Sequence, residues 1–223
     1  MQVEYTAAHS QPDGSERTSM QELGHNAINP LAEPCVKVFI HKTHIISMIY
    51  PFEGVKPRIH ETAYVAKNAT VVGNVEIGAH SSIWPGAVLR GDLSFITIGR
   101  YTSIQDNCVI HVEGSLSDPS TGSPAVIGNY CTIGHGALLH GCIIGERVLI
   151  GAHAAVFNNA RIGDGSILGM GCVISDNKEI PSRRVVVGIP GRIVREVTEE
   201  EWTRSKAHAE LYAELAEKYK KIL

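Results

Sequence analysis

A six-residue repeat runs through the middle of the sequence and constrains its fold more than any other feature. Large aliphatic residues recur at every sixth position, and the series resumes after insertions of three and eleven residues and after a one-residue deletion. The eighteen hexads begin at Ile59, Val65, Val71, Ile77, Ile83, Leu89, Ile98, Ile104, Ile110, Ile127, Ile133, Leu139, Ile144, Ile150, Val156, Ile162, Leu168 and Ile174. A short fixed period of this kind predicts a parallel β-solenoid, in which each turn stacks on the preceding one.

The other positions of the hexad fit a narrow prism. The second position is often glycine, which permits tight corners, and the fifth is usually small. Three of the five cysteines (Cys108, Cys131 and Cys172) occupy that fifth position, so they are explained as small core residues. After Ile180 we expect the repeat to end in a cap-like segment.

The repeat resembles that of the left-handed hexapeptide-repeat proteins, in which three hexads make one triangular coil. The left hand is implied by this resemblance, because the general rule for parallel crossovers would favour the opposite hand. We therefore expect an all-β solenoid: a left-handed parallel β-helix of about six triangular coils, stacked about 4.8 Å apart, with a C-terminal α-helix.

Composition narrows the functional classes. The 20 Lys and Arg residues against 23 Asp and Glu give a net charge of −3, which provides no basic footprint for nucleic acid or an anionic membrane. No apolar run approaches the roughly 20 residues of a membrane span. The five cysteines form no CxxC pair, which argues against a disulfide framework and favours a reducing compartment. We therefore expect a cytoplasmic protein.

The chain divides into three predicted segments. Residues 1–47 lack periodicity and are expected to form a flexible N-terminal extension, whose acidic residues fit poorly with a transit peptide. Residues 48–197 are assigned to the β-helix and its cap. Residues 198–223 are assigned to an amphipathic helix that begins at the capping box Thr198–Glu201. Its predicted apolar stripe, which would pack along the prism or on a neighbour, consists of Leu211, Leu215, Tyr219 and Ile222.

The register of the triangular coil places chemistry-bearing side chains on one face. Arg90, His111 and His140 each occupy the second position of a hexad, in hexads that are three apart. Residues in this relation stack on adjacent coils, about 4.8 Å apart at the backbone, so the two imidazoles can converge on one metal ion. Geometry alone leaves open whether they form a metal site or are ordinary solvated histidines.

A second group of polar residues belongs to a different face of the prism. Gln105 and Asp106 lie in the eighth hexad and His135 in the eleventh, again three hexads apart. His135 is therefore not expected to join His111 and His140 within one chain. A neighbouring subunit could supply it, and cyclic contact between two different faces closes most simply as a trimer.

At these residues the sequence resembles the γ-class carbonic anhydrases and their close relatives. The matching motifs, within about residues 48–220, are Arg90-Gly91-Asp92, then Gln105-Asp106 with His111 five residues on, then His135 with His140 five residues on. The resemblance implies a homotrimer with a metal between subunits, held by His111 and His140 of one chain and His135 of the next. The implied metal is Zn²⁺, with Fe²⁺ or Co²⁺ also usable.

The resemblance also implies an activity and roles for the remaining residues. Metal-bound hydroxide would attack carbon dioxide to give bicarbonate, reversibly. Arg90 and Asp92 would form an ion pair across the interface, Gln105 would orient the metal-bound solvent, and Asp106 would lie beside it. Tyr212 resembles a family tyrosine that reaches the site, although helix packing alone would also account for it.

The sequence departs from the family pattern at several positions. Leu93 stands where the prototype has a glutamate, and Ser103 stands where the family often has asparagine. The loop 112–125 lacks the prototype's acidic run, which leaves Glu113 as a weak candidate for a proton shuttle or simply an exposed carboxylate. Two alternatives therefore stay open: a hexapeptide acyltransferase that uses one histidine as general base, and a metal-stabilised relative with little activity.

Overall fold

Short parallel strands, stacked in register around a narrow interior, form the body of the protein. The computed structural model describes residues 48–115, 118 and 122–222, and the predicted extension 1–47 lies outside them. Together the described residues form a left-handed parallel β-helix followed by one α-helix. The predicted fold class is confirmed.

The strands belong to two sheets. The first sheet consists of β1 (Ile49–Tyr50), β2 (Arg58–Ile59), β4 (Thr70–Ile77), β6 (Val88–Ile98), β8 (Val109–His111), β9 (Ala125–Ile127), β11 (Leu138–His140), β12 (Ile143–Ile144), β14 (Ala155–Val156), β15 (Arg161–Ile162), β17 (Val173–Ile174) and β18 (Glu179–Ile180). The second consists of β3 (Tyr64–Val65), β5 (Ser82–Ile83), β7 (Ser103–Ile104), β10 (Thr132–Ile133), β13 (Leu149–Ile150), β16 (Ile167–Leu168), β19 (Arg184–Val187) and β20 (Arg192–Glu196).

The two sheets make the three faces of the prism. The strands β4 and β6 are long and irregular in register at their middles, so the first sheet supplies two faces. Face 1 comprises β1, β8, β11, β14, β17 and the first halves of β4 and β6. Face 2 comprises β2, β9, β12, β15, β18 and the second halves of β4 and β6. Face 3 is the second sheet.

The coil continues further than the hexad count predicted. Seven of the eight strands on face 3 run parallel, one from each turn, and only β20 is antiparallel. Ile180 and Val186 are both buried and continue the aliphatic series beyond Ile174, and β19 pairs in parallel with β16. The segment expected to be a cap therefore forms a further part of the coil before the β19–β20 hairpin ends it.

The interior contains the aliphatic and small residues that the repeat predicted. Cys108, Cys131 and Cys172 are buried free thiols, as is Cys142. Burial raises the pKa of Cys131 and of Cys142 to about 12, so these thiols stay protonated and unreactive at neutral pH.

The one α-helix among the described residues, α1 (Glu199–Tyr219), lies against face 3 and packs on β5, β7 and β10. The predicted capping box is formed: the backbone N–H of Glu201 donates to the Thr198 hydroxyl, and the Thr198 N–H donates to the Glu201 carboxylate. Among the described residues, no helix has the length and apolar character needed to span a membrane.

The packed side of α1 differs from the predicted stripe. Leu211 is 57% exposed and Ile222 is 73% exposed in the single chain, so neither packs along the prism, whereas Leu215 and Tyr219 do pack against the core. Contact of the two exposed residues with a neighbour stays a prediction. The side of α1 that faces the β-helix includes Ser205, Ala209, Tyr212, Ala216 and Tyr219. Small residues predominate there because they let a helix backbone approach a flat sheet closely.

Trp202 anchors the first turn of α1 at a corner of the prism. It lies over Gly165, whose φ of +65° and close contact with the indole ring leave no room for a Cβ. The guanidinium carbon of Arg147 lies 4.5 Å from the centre of a Trp202 ring, and that of Arg183 lies 5.0 Å from the centre of a Trp202 ring. The tryptophan thus fills the gap left by glycine in a column of larger side chains.

Candidate metal centre

Two histidines face each other on adjacent coils of face 1. His111 ends β8 and His140 ends β11, and the two residues are direct partners in the parallel ladder. Arg90 is the partner of His111 one coil earlier, so the stack predicted from the hexad register is confirmed. The Nδ1 atom of His111 lies 3.0 Å from the Nε2 atom of His140.

The outer nitrogens of both imidazoles are held by oxygen atoms. Nε2 of His111 lies 3.0 Å from Oδ1 of Asp92, and Nδ1 of His140 lies 2.5 Å from Oδ1 of Asn158. Arg90 donates to the other carboxylate oxygen of Asp92. Since these oxygens can only accept hydrogen bonds, each outer nitrogen carries a proton.

This arrangement leaves two lone pairs directed at the same point. In neutral imidazoles with protonated outer nitrogens, Nδ1 of His111 and Nε2 of His140 are both acceptors. Burial lowers the pKa of His111, which favours its neutral form. Burial alone would raise the pKa of Asp92, but hydrogen bonds from Arg90 and His111 outweigh it and lower that pKa, so the carboxylate stays ionised. In these tautomers the two nitrogens can share a cation between them.

The donor set fits a zinc-like ion. Tetrahedral bonds of about 2.0–2.1 Å hold ligand nitrogens about 3.3 Å apart, close to the 3.0 Å between these two. Carboxylate and amide oxygens on the outer nitrogens are the partners that ordinarily fix the tautomer and orientation of metal-binding histidines. His111 and His140 are therefore suited to hold a divalent metal.

His135 follows β10 at the edge of face 3, away from the facing pair. Its side chain is 56% exposed, and its Nδ1 lies 2.8 Å from Oδ2 of Asp106, which leaves Nε2 directed elsewhere. Within the part of one chain that the structure describes, no group of three or more His, Cys, Asp or Glu residues is arranged to hold a metal. The geometry agrees with the expectation that a single chain supplies only part of a three-histidine set.

Gln105 and Tyr212 meet beneath helix α1. Gln105 is only 4% exposed, and its Oε1 accepts a hydrogen bond from the backbone N–H of His135 over 3.2 Å. Burial raises the pKa of the Tyr212 hydroxyl, and the nearby Gln105 side chain partly offsets that rise. The Tyr212 ring packs against Trp84, with ring centres 5.6 Å apart. Tyr212 therefore both packs the helix and reaches the neighbourhood of His135.

The structure brings together the predicted residues in two groups. Arg90 and Asp92 join His111 and His140 on face 1, and their ion pair forms within one chain; a pair across an interface stays a prediction. Asp106, Gln105 and Tyr212 gather around His135. Glu113 is exposed, and its backbone pairs with Ser123, so it remains a loop carboxylate in the described structure.

Sequence reasoning missed several partners of these residues. Asn158 lies one coil above His140. A search for polar residues three hexads apart would have placed Asn158 on that coil, but it would not have shown the contact between its side chain and His140. His208 lies outside the hexad repeat and has no partner in its register, but its Nδ1 lies 3.2 Å from the Thr132 hydroxyl. That contact depends on how α1 packs on the sheet, which the register of the repeat does not give.

The outward side of face 1 around the histidines is mostly apolar. Val109 is 40% exposed. Other partly exposed side chains occupy the equivalent position on neighbouring coils, namely Val88, Leu138, Ala155 and Val173. A continuous apolar strip beside polar ligands is typical of a surface that contacts another subunit.

Comparison with known proteins gives consistent matches. The family model "Bacterial transferase hexapeptide (six repeats)" matches residues 56–91 and 124–158. A Methanocaldococcus jannaschii protein named "Probable carbonic anhydrase" is 46% identical over 159 residues, which cover 71% of this chain and 96% of that protein. "Gamma carbonic anhydrase 1, mitochondrial" of Arabidopsis thaliana is 38% identical over 72% of this chain, which spans only 58% of that longer protein.

Matches with other names also occur. The carnitine operon protein CaiE of Escherichia coli K12 is 34% identical over 74% of this chain and 81% of its own length. The crystal structure of a hexapeptide transferase family protein from Anaplasma phagocytophilum superposes with a TM-score of 0.72 at 36% identity, covering 78% of this chain and 98% of that chain. The facing histidines and the identity to carbonic anhydrases over most of the described chain agree, and the chain belongs to the γ-carbonic-anhydrase-like family of hexapeptide-repeat proteins.

Proposed function

We propose that this protein is a zinc-type metalloenzyme that reversibly hydrates carbon dioxide to bicarbonate, at a site shared between the subunits of a homotrimer. The observation that carries the proposal is the pair of imidazole nitrogens of His111 and His140, 3.0 Å apart, whose outer nitrogens are held by Asp92 and Asn158. Such a pair is suited to bind a cation, and two imidazoles from one chain leave room for a third ligand from another.

The ligands of the proposed site are His111 and His140 of one subunit and His135 of the next, with Zn²⁺ as the metal and Fe²⁺ or Co²⁺ as substitutes. A zinc ion held by three histidines keeps an open coordination position, lowers the pKa of water to about 7 and polarises oxygen atoms of a substrate. Three neutral ligands leave the positive charge uncompensated, which favours that chemistry.

Residues of this chain set the protonation and direction of the ligands. Asp92 and Asn158 hold the protons on the outer nitrogens of the facing pair, and Arg90 keeps Asp92 ionised and in place. Asp106 holds Nδ1 of His135 in the same way, so its Nε2 is the nitrogen available to a partner. Gln105 holds the backbone of His135, and an orienting role toward solvent is part of the proposal.

The trimer and the location are supported by two further features. The apolar strip on face 1 surrounds the facing histidines, whereas the exposed His135 lies on another face, as a cyclic contact between unlike faces requires. The four cysteines described are free and buried, which is compatible with the cytoplasmic location that we propose.

The experiment that tests the function combines zinc content with carbon dioxide hydration, followed by stopped-flow pH change. Wild-type protein should contain about one zinc per chain and accelerate hydration, and His140→Ala should lose both. His60→Ala removes an exposed histidine in the first coil and should lose neither. Wild-type protein that binds no zinc, Co²⁺ or Fe²⁺ would contradict the proposal.

The family contains members with transferase names, so an acyltransferase is the second candidate. It requires binding of coenzyme A and uses a single histidine as general base, without a metal. Saturable binding of coenzyme A, with no metal bound, would favour it. Bound metal without carbon dioxide hydration would instead favour the metal-stabilised alternative, in keeping with the loop that lacks an acidic run.

A further inference from the structure

Helix α1 reaches the segment 132–135 directly at one point and through Gln105 at a second. The first is His208, whose Nδ1 lies 3.2 Å from the hydroxyl of Thr132. Thr132 is the first residue of β10 and is only 4% exposed, so its hydroxyl has little access to water. Nothing in the hexad pattern or in the proposed ligand set assigns a role to His208.

The second point lies one helical turn further along α1. The ring of Tyr212 meets the ring of His208 edge to face, with centres 5.1 Å apart, and meets Trp84 on another side. The indole N–H of Trp84 is itself held between the hydroxyls of Ser82 and Ser103. Tyr212 is therefore enclosed by two rings that are each fixed to face 3.

Gln105 transmits the position of Tyr212 to His135. Its Oε1 accepts from the backbone N–H of His135, and its NH₂ group is the part left to interact with the nearby Tyr212 hydroxyl, whose pKa burial raises and Gln105 partly lowers. Because Gln105 is buried, water cannot readily replace either partner. A shift of Tyr212 would thus leave a buried amide unpaired or turn it away from His135.

We propose that His208 is a positioning residue for His135: it fixes α1 to Thr132 so that Tyr212 holds Gln105, and Gln105 holds the backbone of His135. His208 and Tyr212 lie four positions apart, about one helical turn, and Thr132 and His135 lie three positions apart. The helix therefore braces both ends of the segment 132–135. The consequence for metal binding rests on the proposed function, but the brace itself does not.

The first test measures the backbone amides of metal-free protein by hydrogen exchange. His208→Ala and Thr132→Val should each make the His135 amide exchange at least about tenfold faster. The reason is that Gln105, whose Oε1 accepts from this amide, would no longer be held in place by α1. The neighbouring amide of Gly136 donates instead to the backbone oxygen of Asp106 and should keep its rate, which makes it an internal control. Leu211→Ala, on the exposed side of the same turn, should change neither rate.

The second test measures affinity for Co²⁺ and its visible absorption spectrum. His208→Ala and Thr132→Val should weaken binding roughly tenfold and alter the spectrum, as loss of support for a ligand typically does. His208→Asn keeps a side-chain group that can bond the Thr132 hydroxyl, and it should restore most of the affinity. The double variant should be no weaker than either single variant, because both remove one contact.

Several outcomes would overturn the brace. Thr132→Val keeps the shape of the side chain. If the His135 amide exchanges at an unchanged rate in this variant, the contact between His208 and Thr132 does not position the segment 132–135. Equal acceleration at His135 and Gly136 would show general loosening rather than positioning. If the exchange result holds and the protein binds no Co²⁺, the brace stands and the proposed metal function fails, so the two failures are distinguishable.

Discussion

Removing the carboxamide of Asn158 tests how the facing histidines are prepared for a metal. Oδ1 of Asn158 lies 2.5 Å from Nδ1 of His140 and fixes the ring so that Nε2 points at His111. Asn158→Ala removes that acceptor without touching a proposed ligand. Asn158→Asp keeps an acceptor of the same shape and adds a negative charge, which strengthens the hydrogen bond to an imidazole N–H.

The size of the effect follows from the exposure of the site. Loss of such an outer partner typically costs about 10–100-fold in metal affinity. His140 is only partly buried, so water can occupy part of the vacated position, and the lower end of that range applies. We therefore expect Asn158→Ala to weaken zinc binding about tenfold, or about 1.4 kcal/mol. Asn158→Asp should bind at least as tightly as wild type.

The assay is competition for zinc with a chromophoric chelator at pH 7.5. The matched control is Asn129→Ala, which removes an asparagine that also makes two hydrogen bonds, to Arg100 and Glu146, away from the histidines. Its zinc affinity should equal that of wild type. If Asn158→Ala and Asn129→Ala bind zinc equally well, the account of how His140 is oriented is wrong.

The remaining predictions concern stability. In urea unfolding, Gly165→Ala should destabilise the fold by about 1–3 kcal/mol more than Gly171→Ala. Both glycines have left-handed φ angles, but only Gly165 contacts Trp202. Equal losses of stability would contradict this packing. Burial lowers the pKa of His208, so the folded state favours the neutral form, and stability that is present above about pH 6.5 should be lost as the pH falls. Between pH 7.5 and 5.5 the free energy of unfolding of His208→Asn should therefore fall less than that of wild type. An equal fall in the two proteins would be evidence against this. Protein lacking residues 1–47 should keep its thermal midpoint and assembly state, and a lower midpoint would show that the extension stabilises the fold.

The fold was largely predictable because the repeat encodes it locally. Each hexad places one large aliphatic residue inside, so spacing alone gives the register, including the alignment of His111 with His140. The end of the coil was missed because a polar run after Ile180 hides the continuing series. The packed side of α1 was also missed, since small residues such as Ala216 are weaker signals than the exposed Leu211.

The candidate site was predictable only in part. The position of a residue along the coil follows from counting hexads, and this count placed His135 on a different face from His111 and His140. Contacts that depend on side-chain reach did not follow, as with Asn158 and His140. Contacts between α1 and face 3, such as that of His208 with Thr132, depend on helix packing over 76 residues of separation, which no local pattern specifies.

The central claim is that one site is built from two chains, and mixing two inactive variants tests it most directly. His135→Ala chains keep His111 and His140, and His111→Ala chains keep His135, so neither homotrimer has a complete set. In a cyclic trimer assembled at random from equal amounts, each interface has a probability of about one quarter of joining an intact pair to an intact His135. Co-expressed variants should therefore recover about a quarter of the wild-type zinc and hydration activity. No recovery in confirmed mixed trimers would contradict the shared site.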